Sequence, residues 1–167
     1  ALSCPFDQFC YEGVALKPEA DAIMTRLVQD ALDRRLVQRV VPIETVRTAY
    51  AAVISGHAVH TPMDAARRLG STLSVDYVLV GNVWRYRERT GGPYGVEQPA
   101  SVAFSLYLVR VSDAEAVWQK SFNETQQSLA ENLLRAPEWF ERGGKWLKAT
   151  ELARHGLSDM MRTFPLQ

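Results

Sequence analysis

Three histidines, two cysteines and one arginine-bearing strand hold most of the reactive or ligand-binding chemistry this sequence offers. His57-Ala58-Val59-His60 has a spacing that places two imidazoles near one helical turn, a geometry that suits metal ligation. The pair is flanked by Ser55-Gly56 and Thr61-Pro62, which read as a loop, and no neighbouring cysteine or acid completes a tetrahedral set. The reading is surface or capping histidines, with a metal site as its alternative. His155 falls on the polar side of the last helix and reads as solvent-facing. Cys4 and Cys10 form neither a Cys-x-x-Cys motif nor half of a zinc site. They are either two thiols or, in an oxidising compartment, a bridge closing a short loop near the N-terminus.

Nucleophilic catalysis needs an activated serine or cysteine with a base in reach. The chain has no Gly-x-Ser-x-Gly elbow, and neither cysteine sits in a catalytic motif. Gly91-Gly92-Pro93-Tyr94-Gly95 joins two strands, whereas a phosphate-cradling loop opens a helix. No catalytic residue, metal or cofactor is assigned on this basis, and the chain is not expected to be an enzyme.

Arg85, Arg87 and Arg89 alternate along one predicted strand against Trp84 and Tyr86. Three guanidinium groups on one side would attract an acidic partner, a phosphate-bearing lipid or a nucleic acid. The alternative is a solvated strand face whose charges discourage edge-to-edge aggregation. The reading requires arginines that are not paired with Glu88 or other acids. The loop from Thr90 to Ala100 carries Tyr94, and binding residues are often found on such loops. Arg85, Arg87, Arg89 and Tyr94 are therefore the candidate partner surface. Trp139-Phe140 and Trp146 form either an aromatic ridge for a partner or the packing of the last helix on the core. Asn123-Glu124-Thr125 matches a glycosylation sequon, which is idle in a bacterial protein.

The elements that must position these groups follow from periodicity and punctuation. A strand over Ala1–Phe6 precedes a helix that starts at Lys17-Pro18-Glu19 and runs to about Leu36. The β-branched run Val37–Ile43 predicts a strand that ends at Pro42 or lies near an edge. Glu44–Ile54 predicts a helix with Val46, Tyr50 and Val53 on one face, stopped by Ser55-Gly56. Thr61-Pro62-Met63-Asp64 is a strong helix start, with threonine as cap and proline at the first helical position. Gly70 is the expected terminator.

Three strands then follow: one from Asp76 to Trp84 and onward, one over Ser101–Val109, and one over Val117–Phe122. Turn signals at Gly91-Gly92 and at Ser112–Ala116 make them an antiparallel meander. Ser128 caps a short helix to about Leu134. Trp146–Phe164 carries the last stripe, with Leu152, Ala153, Gly156, Leu157 and Met160. The order is β-α-β-α-α-β-β-β-α-α, an α/β class with a mixed sheet and helices on one or both faces.

The 167 residues suit a single domain over 1–167, and 47% hydrophobic residues suffice for a real core. Lys+Arg and Asp+Glu are 19 each, so the formal charge is zero, which argues against a general nucleic-acid binder. No apolar run approaches the roughly 20 residues that span a bilayer.

Several of these segments together resemble a family. They are Cys4-Pro5-Phe6, Thr61-Pro62-Met63-Asp64 with Arg68-Leu69-Gly70, Val75-Asp76-Tyr77-Val78-Leu79-Val80-Gly81-Asn82-Val83, Leu108-Val109-Arg110-Val111 and Glu115-Ala116-Val117-Trp118-Gln119. The sequence is similar to bacterial envelope lipoproteins built on the fold of the TolB N-terminal domain, a group that includes the curli secretion lipoprotein and lipoprotein activators of peptidoglycan synthases. The resemblance implies a two- or three-layer domain of TolB N-terminal, anticodon-binding-like type. It further implies a periplasmic location, tethering to the outer membrane through a lipidated cysteine, and action by contact with another envelope protein. It brings no catalytic residues.

Ala1-Leu2-Ser3-Cys4 has only a weak lipobox look and Cys4 falls in the expected first strand, so the anchor is expected upstream of Ala1. The arginine-bearing meander lacks a lipid-facing alternation, so no pore is expected. Three functional readings stand: a non-enzymatic protein-binding domain first, a small-ligand or enzymatic domain with a pocket beside the sheet second, and a nucleic-acid module third. The partner expected is an envelope protein, with self-association open.

Overall fold

A long antiparallel hairpin organises the domain. In the computed structural model, which describes residues 19–37, 39–56, 61–92, 95–127 and 146–166, strand β4 (Ser101–Arg110) lies between β1 (Tyr77–Arg87) and β5 (Glu115–Thr125). The β4–β5 register runs from Ser101↔Thr125 to Arg110↔Glu115, and the turn between them places Ala114 in the left-handed region at φ 58°. Arg110 holds that turn, with ion pairs of 2.8 Å to Asp113 and 2.6 Å to Glu115. The meander expected from the sequence is thus present. Its Thr90–Ala100 connection contains a small ladder of its own, β2 (Thr90–Gly91) on β3 (Val96–Gln98).

Four helices complete the described structure: α1 (Ala20–Arg35), α2 (Ile43–Gly56), α3 (Pro62–Leu73) and α4 (Ala149–Met161). The α/β class therefore holds. Ala20, Met24 and Leu27 recur at helical spacing and are buried, so α1 packs its apolar stripe against the sheet. Helix α4 does the same with Leu152, Ala153, Leu157 and Met160, over Phe104, Leu106 and Leu108 of the central strand. Burying each of those large side chains contributes about 1.5–3 kcal/mol. Gly156 is the point of closest approach: a Cβ there would stand 2.4 Å from Phe122 Cγ.

Helix α3 packs against β1 on the opposite face. It starts as its sequence predicts, with Thr61 Oγ1 accepting from Asp64 N at 3.1 Å and Pro62 in the first turn. Gly70 does not end it. The helix continues to Leu73 and closes on Ser74 at φ 53°, while Gly70 stays inside because a Cβ would fall 2.2 Å from Val111 Cγ2. Its glycine serves close packing rather than termination. The result is a helix–sheet–helix arrangement, with α2 resting on α3.

Three other expectations change. The described residues of Val37–Ile43 form no strand: Arg39 N turns back to Leu36 O at 2.8 Å, and Ile43 already opens α2, with Pro42 O accepting from Val46 N at 3.1 Å. The β-branched side chains of Val40, Val41 and Ile43 are half-buried against apolar surface instead of entering a ladder. Without that strand, every described pairing in the sheet is antiparallel, where a mixed sheet was expected. Tyr50 is 45% exposed and lies off the inner face of α2, which is formed by Ile43, Val46, Ala49 and Val53. The expected strand over 1–6, Cys4, Cys10, His57, His60, Tyr94, Trp139, Phe140 and the expected helix from Ser128 lie outside the described residues.

Candidate functional site

A bulge in β1 decides where the arginines point. Val83 pairs with Phe104 and Arg85 with Ala103, so Trp84 is an extra residue with no partner in the register. A bulge of this kind shifts which residues face each side. Before it, Leu79 and Val83 pack on the core beneath α1 and α4; after it, Tyr86 does. Tyr86 is fully buried and its hydroxyl lies 2.8 Å from Thr150 Oγ1. Burial is the main cause that pushes its phenol above the ordinary value, partly countered by the Thr150 hydrogen bond.

Glu88 is also directed at α4. Its Oε1 accepts from Ala149 N at 2.8 Å, satisfying one of the unpaired donors at the start of that helix, and from Arg89 N at 3.2 Å. Arg89 joins the same junction, its Nη1 donating to Trp146 O at 2.8 Å. The structure thus separates the three predicted arginines. Arg89 fastens the entry to α4, while Arg85 and Arg87 lie in register beside the small residues Ala103 and Ser101 of β4. Among the described residues no ion pair joins these arginines to Glu88.

Around Arg85 and Arg87, the sheet face they share carries polar side chains on all three strands. Arg85 reaches over Ala103 and donates from Nη2 to Asn123 Oδ1 on β5. Ser101 Oγ lies 2.5 Å from Thr125 Oγ1, and Ser105 Oγ 2.6 Å from Ser121 Oγ. These cross-strand hydroxyl pairs satisfy their own members. The donors on β1 are not all satisfied. Trp84 Nε1, Arg85 Nε and Arg87 Nε are buried without a hydrogen-bond partner among the described residues. Buried polar groups in folded proteins are nearly always paired, because an unmet donor costs about 1–3 kcal/mol. Burial lowers the affinity of the Arg85 guanidinium for its proton, and the charge of Arg87 adds to this.

Three buried N–H donors without a partner among the described residues and two like charges fall within four residues of β1. An oxygen acceptor carrying negative charge would satisfy the donors and relieve the repulsion. Sequence reading found the arginines from their alternation. It missed Trp84 as a donor, because nothing in the sequence marks residue 84 as bulged. It also placed Arg89 with the other two, since an unbroken period of two does not show the α4 junction.

His155 is exposed on α4, as expected. Among the described residues no group of three or more His, Cys, Asp or Glu could hold a metal ion, and no helix is long and apolar enough to cross a membrane. A cavity of about 920 Å3 borders the opposite half of β1 and is lined by α1, α2, α3, Leu36 and residues 39–41.

No protein-family model matches the chain, and no curated protein matches it. Among solved structures, the chain is similar to the PelC dodecamer from Paraburkholderia phytofirmans at 17% identity and a TM-score of 0.47, covering 90% of this chain and 79% of that one. A single-substitution variant of the same dodecamer gives 16% identity and a TM-score of 0.47, covering 88% and 78%.

Proposed function

We propose that this domain is a non-enzymatic binding module of the bacterial cell envelope, and that it recognises acidic side chains of another protein through Trp84, Arg85 and Arg87. The observation that carries the reading is the set of three buried N–H donors without acceptors on one bulged segment. A carboxylate accepts up to four hydrogen bonds and pairs well with guanidinium. The half-buried setting of the arginines makes such a contact stronger than an exposed ion pair, which is worth about 0–1 kcal/mol. Arg89 and the α4 junction hold the strand that carries the donors.

The envelope location, periplasmic and tethered to the outer membrane, rests on the resemblance of the sequence segments given above. A protein partner is favoured over nucleic acid by the zero formal charge of the whole chain. The test is crosslinked capture from native envelopes with the wild-type domain and with an Arg85→Ala/Arg87→Ala variant. The reading expects a defined set of envelope proteins that the double variant loses while remaining folded. Recovery of no envelope protein, or of the same set by both forms, would count against it.

A further inference from the structure

The other half of β1 carries a second, separate demand. β1 is at the end of the strand order, so one of its edges has no neighbouring strand among the described residues. Val111 N donates to Asp76 O at 2.9 Å, which identifies that pair as one that bonds across to β4. In an antiparallel ladder such pairs alternate with residues that direct both backbone groups away. From the register, Val78, Val80 and Asn82 bond to β4, while Tyr77, Leu79, Gly81 and Val83 present their N–H and C=O groups at the free edge.

Natural sheet edges are usually blunted by charge, proline or a covering element. Tyr77–Val83 contains no charged residue and no proline. The edge opens instead into the cavity of about 920 Å3. Met24 and Val28 of α1 wall it on one side, Leu69 and Leu73 of α3 on the other, and Val46 of α2 closes it. An apolar cavity bordered by backbone groups that have no strand partner among the described residues is poorly matched by a purely apolar ligand, which offers neither donors nor acceptors. A peptide backbone supplies both at the spacing of the edge.

We infer that the β1 edge binds an extended segment of a partner protein by strand addition. Helices wall the groove on both sides, so the added strand is apolar on both faces and reads as a near-continuous run of Val, Ile or Leu. The seven residues Tyr77–Val83 fit a segment spanning roughly 24 Å. Among the described lining residues, exposed Asp21 and Asp76 outweigh the guanidinium of Arg39, which favours a basic residue at the segment's end. This groove lies apart from the arginine patch, and the inference stands independently of the proposed function.

The test uses a pool of synthetic eight-residue peptides of Val, Ile and Leu with lysine at each end, and the same pool N-methylated at alternate backbone amides. Binding is followed by amide hydrogen exchange of the full chain. The expected result is binding of the unmodified pool with new protection at Leu79, Gly81 and Val83, and at least tenfold weaker binding of the methylated pool. Gly81→Pro, which removes one edge N–H, and Asp76→Lys at the rim each weaken binding, the second without disturbing the ladder. Equal binding of both pools, no binding, or edge amides already protected before peptide is added (the chain's own residues filling the groove) would overturn the inference.

Discussion

Arg35, in the last turn of α1, lies over the ring of Phe164, its guanidinium carbon 5.9 Å from the ring centroid, and its nitrogens donate to the last carbonyl of α4 and to two carbonyls in the segment that follows it. Nε reaches Leu166 O at 2.8 Å, Nη2 reaches Phe164 O at 2.9 Å and Nη1 reaches Met161 O at 3.1 Å. The last carbonyls of a helix have no partner within it, and a cation there also meets the negative end of the helix dipole. One planar side chain therefore joins the first helix to the end of the last. Arg35→Ala is expected to lower stability by about 2–3 kcal/mol, the scale of hydrogen bonds to a charged group. Arg35→Lys recovers only part of this, because an ammonium cannot reproduce the fork or the ring contact. Urea unfolding of the three proteins measures it, and an unchanged midpoint for Arg35→Ala would refute the clamp.

Gly156 governs how closely α4 approaches the sheet. A Cβ at this position would meet the Phe122 ring at 2.4–2.6 Å, and Phe122 already packs on Phe104 with centroids 5.6 Å apart. Alanine is the better helix former by about 1 kcal/mol, so propensity alone predicts stabilisation. Overpacking of a filled core costs about 1–3 kcal/mol and here outweighs it. Gly156→Ala is expected to lower the thermal midpoint, and Phe122→Leu in the same chain to restore part of the loss.

Asp64 supplies a pH dependence. The Arg68 hydrogen bond at 2.9 Å is the largest of the effects that hold its carboxyl below the usual carboxylate value, with Arg67 assisting at 3.3 Å. A group whose folded pKa is depressed stabilises the fold above its unfolded pKa, and that contribution is lost as pH falls through the folded value. Wild type is therefore expected to exceed Asp64→Asn in stability at pH 7. The gap closes as pH drops below about 4, where the unfolded carboxylate protonates. A gap that stays constant down to pH 2 would show that the carboxylate charge is not its cause.

What the sequence showed and what it hid divide along physical lines. The α3 start was legible because Thr61, Pro62 and Asp64 act within one turn, and the same residues form the observed cap. The three long strands were legible because apolar alternation and turn residues are local signals. The loss of the Val37–Ile43 strand was not, since β-branched residues suit an apolar groove wall as well as a ladder. Gly70 looked like a terminator because the nearness of Val111 depends on how α3 meets the sheet. In the candidate site, Arg85 and Arg87 were legible from their period, whereas the donor role of Trp84 depends on a bulge set by pairing with Phe104 and Ala103.

Stability and binding are expected to diverge at the arginine patch. Most half-buried residues lose stability when replaced, because their contacts are already made. Arg87 differs: its Nε is buried without an acceptor, and its charge acts unfavourably on Arg85. Replacing such a group with an apolar side chain of similar length removes an unmet donor and a like-charge repulsion. Arg87→Met is therefore expected to raise the unfolding midpoint of the free domain while weakening a carboxylate ligand. A hexaglutamate peptide followed by fluorescence anisotropy provides the probe. Its affinity should fall about tenfold in Arg87→Met, equivalent to about 1.4 kcal/mol. It should fall by less in Trp84→Phe, which keeps a ring and loses one neutral donor. Raising ionic strength from roughly 50 to 200 mM should narrow the difference between wild type and Arg87→Met, as screening weakens the charged part of the contact. A variant that is both less stable and equal in affinity would assign Arg87 to packing and remove it from the binding surface.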